Sequence, residues 1–381
     1  MHDDPARLPK PSDRETAPVE LGVWSRIVAG LPEDVLAYQA ASLSPNTLRA
    51  YRADWGSFER WCRLHGHAAF PSEPGIVATY IAALAAQVTT AGKPAFTAAT
   101  IGRRLAAISK IHEMAGHPSP AKHPAVTTTM SGIRRQLGTR PKRVAPLTLT
   151  ELAGMLARMT EPRYPTVVGD TRDTALLLIG FAGAFRRSEL AALTAGDVSL
   201  HPEDGLRILV RRSKTDQEGA GTTKAIPRGA HLATCPVCAM IRWHHLVESH
   251  DIGGRRAVLR ALATEPDRET HICSPGALVA PADPRSPLWR SVHKSGAIGP
   301  DPITGTVVLE VVKRRAKAAG LDPSTLGGHS LRAGFVTQAT RAGADTPSIM
   351  RQTGHRSPAT VDIYRREADP LAGNAVTKLG L

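Results

Sequence analysis

The sequence predicts a mainly α-helical protein with one small β-hairpin or sheet, divided into an all-helical N-terminal domain and a mixed α/β second domain. Apolar residues recur at helical spacing from about residue 45 to 137, and no convincing strand pattern precedes residue 200. Two short strand patterns, 206–212 and 223–226, then flank the turn-rich segment 216–221. With 381 residues, the chain is long enough for two or three domains.

The N-terminal domain is placed at 31–137, after a polar, proline-rich segment 1–30 that is expected to be a disordered tail. Ser44 and Pro45 predict the start of a helix that runs to residue 64. Further helices are expected at about 75–87, 97–116 and 126–137. The first helix has a predicted core face of five residues: Leu48, Tyr51, Trp55, Phe58 and Cys62.

The second domain is placed at 147–365, after a basic linker at 138–146 that carries two prolines. Thr148 and Glu151 have the spacing of a capping box, which predicts a helix through about residue 159. An apolar helix is expected at 171–184, and others are expected near 304–319, 330–342 and 347–353. Segment 250–303 is interpreted as long connections around a short strand or helix, and 366–381 as a C-terminal tail.

The chain is strongly basic, since 48 Lys and Arg against 34 Asp and Glu give a formal charge of +14 and a pI near 10.1. This excess favours a polyanionic partner, with nucleic acid first, although basic proteins also bind membranes and ribosomes. Between residues 102 and 143, nine basic residues stand against one acid, Glu113. We interpret this stretch as a DNA-binding face, with a merely solvated helix surface as the alternative. The residues assigned to phosphate contacts are Arg103, Arg104, Lys110, Arg134, Arg135, Arg140, Lys142 and Arg143.

Other features narrow the class of protein. No apolar run is long enough to cross a bilayer, and the opening residues do not have the pattern of a signal peptide. The four cysteines are too few and too scattered for a disulfide framework. We therefore expect a cytoplasmic protein without a membrane partner.

Four separated segments hold residues suited to phosphoryl transfer, although each segment alone is a weak signal. Two arginines can grip the nonbridging oxygens of a phosphate, and a lysine can protonate a leaving oxygen. Histidines can donate further hydrogen bonds or move a proton, and a tyrosine can be the nucleophile. The predicted catalytic residues are Arg186, Lys214, His329, Arg332, His355 and Tyr364.

The order and spacing of these residues resemble the tyrosine recombinase, or phage integrase, family over about residues 36–381. Arg186 stands three positions before the acidic Glu189, as the family's first arginine does, so the adjacent Arg187 is the weaker choice. Lys214 matches the hairpin lysine, and His329 to Arg332 match the H-x-x-R box. Gly354-His355 matches the G-H box, and Tyr364 follows nine positions later in the place of the nucleophile.

The resemblance implies a helical, SAM-like core-binding domain and a mixed α/β catalytic domain that together clamp duplex DNA. It further implies a homotetramer that exchanges strands through a Holliday junction without metal, ATP or another cofactor, in some cases with accessory DNA-bending proteins. Glu189 would then support Arg186, and the tail would dock on a neighbouring protomer or fold back on its own domain. Two alternatives stay open: a type IB topoisomerase and a DNA-binding regulator without catalysis.

A possible metal motif stands apart from these segments. Cys235-Pro-Val-Cys238 has the spacing of a zinc knuckle, and His231, His244 and His245 lie nearby in the sequence. Because a second paired cluster is missing from the sequence pattern, buried thiols at the start of an apolar helix explain the motif equally well. No metal is assigned from the sequence.

Overall fold

We describe the protein from a computed structural model, in which residues 33–139, 144–159, 163–213, 216, 219–264, 270–368 and 379 are described. The chain divides between residues 142 and 143 into two compact units. The predicted tail at 1–30, the middle of the predicted linker and all but one residue of 369–381 lie outside the described residues. In the described part, no helix combines the length and apolar character needed to span a membrane.

The first unit is helical, and its helices begin where the sequence supplies caps. Ser44 accepts a hydrogen bond from the backbone N–H of Thr47 at 3.2 Å, and Pro45 occupies the first turn that follows. Four of the five predicted core residues of that helix are buried, and Tyr51 is half-buried. The helices of this unit are α1 (Glu33–Ala41), α2 (Pro45–Leu64), α3 (Pro74–Ala86), α4 (Ala98–Met114) and α5 (Pro124–Leu137).

The second unit is mixed, with a three-stranded sheet among helices. Its strands β1, β2 and β3 are antiparallel in that order, and β4 pairs with β5. The mainly α class with small antiparallel sheets is therefore confirmed. The elements are α6 (Leu149–Leu156), α7 (Thr166–Ala182), α8 (Arg187–Ala191), β1 (Val198–His201), β2 (Gly205–Val210), β3 (Thr222–Ile226), α9 (Pro236–Thr264), β4 (Arg290–Val292), β5 (Ile298–Pro302), α10 (Gly305–Ala318), α11 (Ser330–Arg341), α12 (Thr346–Thr353) and α13 (Pro358–Ala368).

Helix α7 forms the centre of the second unit and begins earlier than the apolar pattern predicts. Its first half carries Asp173, which is fully buried and bonded to Arg172 at 2.8 Å and to Arg315 of α10 at 2.7 Å. Burial alone would raise the pKa of Asp173, but the surrounding arginines outweigh it and lower that pKa. Charged residues can lie in the core here because they are paired with each other. A pattern of apolar residues cannot reveal this part of the helix.

Three elements differ from the sequence-based prediction. Strand β1 has only four residues, too short to give a pattern of its own, and it is held by pairing with β2. Helix α9 extends to Thr264 across a break at Gly253 and Gly254, because Val258 and Ala261 are buried in the core. The prediction that 250–303 consists of connections around one short element was therefore wrong for residues 250–264, which belong to α9. Helix α13, which carries Tyr364, was not predicted.

Candidate active site

Arg332 lies at the centre of the candidate site and is only 2% exposed on α11. Its Nη1 donates a hydrogen bond to the carbonyl oxygen of Ala184 at 2.9 Å. Its buried Nη2 has no hydrogen-bond partner among the described residues. Burial, together with the positive charge of Arg186, lowers the pKa of Arg332 to about 10, so the guanidinium remains charged at neutral pH. A buried cation with an unused donor is costly unless an anion binds to it.

The backbone around Ala184 is strained in a way that serves this contact. Ala184 is fully buried and has a φ of 47°, in the left-handed region that non-glycine residues rarely adopt. That conformation costs roughly 1–2 kcal/mol for an L-residue. It turns the Ala184 carbonyl toward Arg332, and the chain then leads directly to Arg186. Strain at this point is typical of a functional site whose geometry the surrounding fold enforces.

Arg186 is held by Glu189 at the start of α8. The carboxylate of Glu189 accepts hydrogen bonds from the Arg186 side chain and, at 3.0 Å, from the Arg186 backbone N–H. Glu189 is buried and Arg186 is half-buried, so the pair fixes one face of the guanidinium. The adjacent Arg187 is exposed and lies over Gly328, where an added Cβ would come within 2.5 Å of it. The two neighbouring arginines thus have different surroundings.

Lys224 is a second lysine that the sequence analysis did not select. It lies on β3, is 5% exposed and donates a hydrogen bond to the backbone carbonyl of Gln352. The pKa of Lys224 is lowered to about 8, chiefly by burial and also by the charges of Arg332 and Arg186, against the opposing effect of Glu189. One signal was available: Lys224 shares the inward face of the strand with Ile226, a position where a charged residue is unusual.

Lys214 lies outside the described residues. It belongs to the connection between β2 and β3, whose shape is set in part by Asp216. The Asp216 carboxylate accepts hydrogen bonds from the backbone N–H groups of Gly221, Ala220 and Gly219 at 2.8, 3.1 and 3.2 Å. These three hydrogen bonds lower the pKa of Asp216, and the bond from Gly221 has the largest effect. The hairpin is thus closed by an acidic side chain two positions after Lys214.

His355 lies in the connection between α12 and α13, and it faces Tyr364 on α13. Their rings are stacked, with centroids 6.2 Å apart and planes inclined by 21°. Tyr364 is half-buried on α13 and packs against the small cluster Val336, Ile349 and Val361. Burial first, and then the positive charges of Arg332, Arg186 and Lys224, together lower the pKa of His355 to about 4. His355 is therefore neutral at pH 7.

The hydrogen bonds of Thr353 favour one tautomer of His355. The Thr353 hydroxyl lies 2.8 Å from the carbonyl oxygen of Ile349, to which it can donate, and 3.0 Å from His355 Nδ1. With the hydroxyl proton directed at Ile349, the Thr353 oxygen is an acceptor, which favours the tautomer with the proton on Nδ1 and the lone pair on Nε2. The available nitrogen of His355 is therefore a hydrogen-bond acceptor.

The structure brings together Arg186, Arg332, His355 and Tyr364, the last of which raises the pKa of Arg332. His329 is exposed at the N-terminal boundary of α11, one helical turn before Arg332. At neutral pH, the described side chains of the cluster are three cations (Arg186, Arg332 and Lys224) and one carboxylate, that of Glu189, so their net charge is +2. Such a cluster is suited to an anion.

The basic residues predicted to bind DNA have different surroundings in the first unit. Arg134 and Arg135 are exposed in the last turn of α5. Arg103 is exposed but bonded to the buried Asp54, and Lys110 is half-buried. Arg104 is partly buried: it stacks on Phe96 at 4.3 Å and donates to the Tyr80 hydroxyl at 3.2 Å. Arg104 thus has a packing role that its place in a charge run did not indicate. Arg140, Lys142 and Arg143 lie outside the described residues.

Comparison with known proteins decides the family. The family model "Phage integrase family" matches residues 297–370, which include His329, Arg332, His355 and Tyr364. The "Integrase/recombinase xerD homolog" of Selenomonas ruminantium is 32% identical over 341 residues, covering 89% of this chain and 86% of the relative. The chain belongs to the phage integrase family of tyrosine recombinases.

Other members of the phage integrase family are more distant. The "Recombinase cre" of Escherichia phage P1 is 25% identical over 339 residues, with 85% of this chain and 84% of the relative covered. A crystal structure of the lambda integrase bound to DNA matches with 17% identity and a TM-score of 0.48, covering 87% of this chain and 92% of that one. The family model does not extend to Arg186 or Lys214, so their assignment depends on the sequence pattern and, for Arg186, on the geometry described above.

Proposed function

We propose that this integrase-family chain is a site-specific DNA recombinase that cleaves and rejoins DNA through a covalent bond between Tyr364 and a 3′-phosphate. The observation that carries the proposal is the buried Nη2 of Arg332, which no described residue bonds, within a described cluster of net charge +2 beside the half-buried Tyr364. This cluster matches the charge of the reaction. A phosphodiester carries one negative charge and an attacking phenolate adds a second, so the transition state is a dianion.

In the proposed cleavage step, the Tyr364 oxygen attacks the phosphorus atom and the bond from phosphorus to the 5′-oxygen breaks. Arg186 and Arg332 bind the nonbridging oxygens, as planar guanidinium groups do with phosphates. His355 Nε2, which carries a lone pair in the favoured tautomer, accepts the phenolic proton as the Tyr364 oxygen attacks. Lys214 gives a proton to the departing 5′-oxygen. His329 donates a further hydrogen bond to the phosphate.

Rejoining is the reverse of this step on a different strand. The 5′-hydroxyl of a partner strand gives its proton to Lys214 and attacks the phosphorus atom, and Tyr364 leaves with the proton that His355 held. One phosphoester bond is formed for each bond broken, so neither ATP nor another energy source is needed. Positive side chains take the place that paired metal ions have in metal-dependent nucleases. Family resemblance supports a tetramer on two duplexes and a Holliday junction between the two exchanges.

The experiment compares negatively supercoiled plasmids that carry two copies, one copy or no copy of the DNA flanking the gene. We expect recombinant circles only from the plasmid with two copies, and covalent protein–DNA adducts from plasmids with one or two. A topoisomerase would relax all three plasmids. A regulator without catalysis would bind DNA and leave every plasmid intact. Either of these two results would contradict the proposed function.

The proposed DNA face of the first unit can be tested with duplex DNA of any sequence. Each phosphate contact contributes about 0.9 to the slope of log affinity against log salt concentration, so six contacts would weaken binding by about 10³-fold between 50 and 200 mM salt. Because Arg134 and Arg135 are exposed, the double change Arg134→Gln with Arg135→Gln should reduce the magnitude of the slope by up to about 1.8. Fluorescence anisotropy across a salt series measures it.

The matched control for this prediction is Arg285→Gln, which removes one charge from a side chain that is 92% exposed in the second unit and is not assigned to DNA. Its slope should equal that of the unchanged protein. Arg104→Gln is not a suitable control, since loss of its contacts with Phe96, Tyr80 and Asp54 would disturb the fold. An unchanged slope in the double variant would place the DNA face elsewhere.

A further inference from the structure

A second cluster of reactive side chains lies in the second unit, apart from the residues of the proposed mechanism. Cys235, Cys238, His271 and Cys273 each offer one potential ligand atom, and these four atoms all lie within 4.8 Å of one another. The three cysteines are buried and carry free thiols, while His271 is exposed at the rim. Three sulfurs and one imidazole nitrogen are a ligand set typical of structural zinc sites.

The fold assembles this cluster from two distant segments. Cys235 follows a short turn, and Cys238 lies in the first turn of α9, so the two form a C-x-x-C pair at the start of a helix. His271 and Cys273 form an H-x-C pair 33 or more positions later. The sequence analysis considered His231, His244 and His245 as partners because they are near in sequence. In the fold, His244 is instead buried beside Glu248, at 3.5 Å.

The distances agree with tetrahedral coordination. With Zn–S bonds of about 2.3 Å and Zn–N bonds of about 2.05 Å, a tetrahedral site has S···N edges of about 3.6 Å and S···S edges of about 3.8 Å. His271 Nδ1 lies 3.4 Å from the sulfur of Cys238 and 3.6 Å from that of Cys273. These two S···N distances thus match the edges of a tetrahedral site, and all other pairs of ligand atoms lie within 4.8 Å of each other.

The groups around the sulfurs also resemble those of a metal site. The backbone N–H of Gly229 donates to the Cys235 sulfur at 3.3 Å, and the backbone of Ile272 hydrogen-bonds to the Cys238 sulfur. Such donors orient thiolate ligands and offset their negative charge. Gly229 has a steric reason to be glycine, because a Cβ there would lie 2.7 Å from the Cys235 Cα. Glycine therefore lets the backbone at position 229 come close enough to Cys235 to donate this hydrogen bond.

Two simpler explanations account for less of this geometry. Packing explains buried thiols, but it does not explain why an exposed imidazole directs one nitrogen at two sulfurs. A disulfide would use two of the cysteines and leave the third thiol and the histidine unexplained. Four ligands from the chain would complete the coordination of zinc and leave no open position, which is the arrangement of a structural site.

We propose that Cys235, Cys238, His271 and Cys273 form a structural zinc site. The ion fastens residues 271–273 to the start of α9. Arg228 makes a parallel connection, since it donates to the Cys273 carbonyl and to the Pro202 carbonyl, both at 2.8 Å. Together these bonds anchor the chain that returns from α9 toward β4 against the turn between β1 and β2. This gives a role to part of the segment 250–303, for which the sequence analysis found none.

The test is the metal content of the full-length chain, purified without a histidine tag, under reducing conditions, after gel filtration with a weak chelator. Elemental analysis should find about one zinc ion per chain. Cys238→Ser and Cys273→Ser should each lower this content to less than about one fifth, whereas His271→Cys should retain the ion because four thiolates also bind zinc. The matched controls are Cys62→Ser, at a buried cysteine of the first unit, and His231→Ala, at the histidine near Cys235.

A second measurement does not depend on any variant folding. Unchanged protein stripped of metal and given one equivalent of Co²⁺ should develop thiolate-to-cobalt charge transfer and the intense visible bands of four-coordinate cobalt, and zinc should then displace the cobalt. Zinc below about one fifth of an ion per chain, with no uptake by the reduced protein, would overturn the proposal. So would a disulfide between Cys235 and Cys238 in the native protein, found by mass spectrometry after alkylation without reduction.

Discussion

Changing Tyr364→Phe should abolish covalent protein–DNA adducts and leave the affinity for duplex DNA within about twofold, because the change removes one oxygen and no charge. The aromatic ring that stacks on His355 and packs against Val361 remains. The proposed mechanism has no second nucleophile, so the expected loss is complete rather than partial. A nicked suicide substrate separated on a denaturing gel measures the adduct, and a gel shift measures binding.

The matched control for Tyr364→Phe is Tyr164→Phe, which removes the same oxygen from a half-buried tyrosine of the same unit. Tyr164 lies under the guanidinium of Arg255, at 4.9 Å, and its hydroxyl has no part in the proposed reaction. Adduct formation by the control should equal that of the unchanged chain. A covalent adduct formed by the Tyr364→Phe protein would show that another residue is the nucleophile, and the proposed mechanism would then be wrong.

Much of the fold could be predicted because the sequence marks it locally. Ser44 caps a helix that begins at the next residue, and Thr148 with Glu151 makes both bonds of the predicted capping box. Errors arose where long-range contacts decide the structure. The four residues of β1 form a strand only because β2 pairs with them, and α9 crosses two glycines because residues beyond them reach the core. No local pattern contains that information.

The residues of the candidate site, like the elements of the fold, could be predicted only in part. Arg186, Arg332, His355 and Tyr364 were selected from order, spacing and chemical type, and the fold brings them together. Lys224 was not selected because its place in the cluster comes from burial beside the arginines, which depends on where β3 lies. His271 and Cys273 were missed for a related reason, since nothing in their own segment points to the C-x-x-C pair that they meet. Spacing along the sequence can reveal ligands or catalytic groups that lie in one segment. It reveals far less about groups that the fold brings together from different segments.

Changing Arg332→Lys should slow DNA cleavage by at least about 10²-fold, equivalent to about 2.7 kcal/mol in the barrier. A lysine keeps the positive charge but has a single ammonium group, whereas Arg332 bonds the Ala184 carbonyl with Nη1 and keeps Nη2 for a phosphate oxygen. The ammonium cannot reproduce both bonds in one plane. Because the overall charge is unchanged, affinity for DNA should fall far less than the cleavage rate. Single-turnover cleavage at saturating protein separates the two effects.

Variants of the neighbouring residues Arg186 and Arg187 provide a matched control, which the buried Arg332 does not offer. Arg186→Ala should slow cleavage to a similar extent, because Glu189 fixes this guanidinium in the cluster. Arg187→Ala, one position later, removes an exposed side chain that lies over Gly328 and has no place in the mechanism, so its cleavage rate should stay within about threefold. Both alanine variants lose one positive charge, so nonspecific attraction to DNA falls equally. Equal cleavage rates for these two variants, or a normal rate for the Arg332→Lys protein, would mean that the phosphate is bound by other residues.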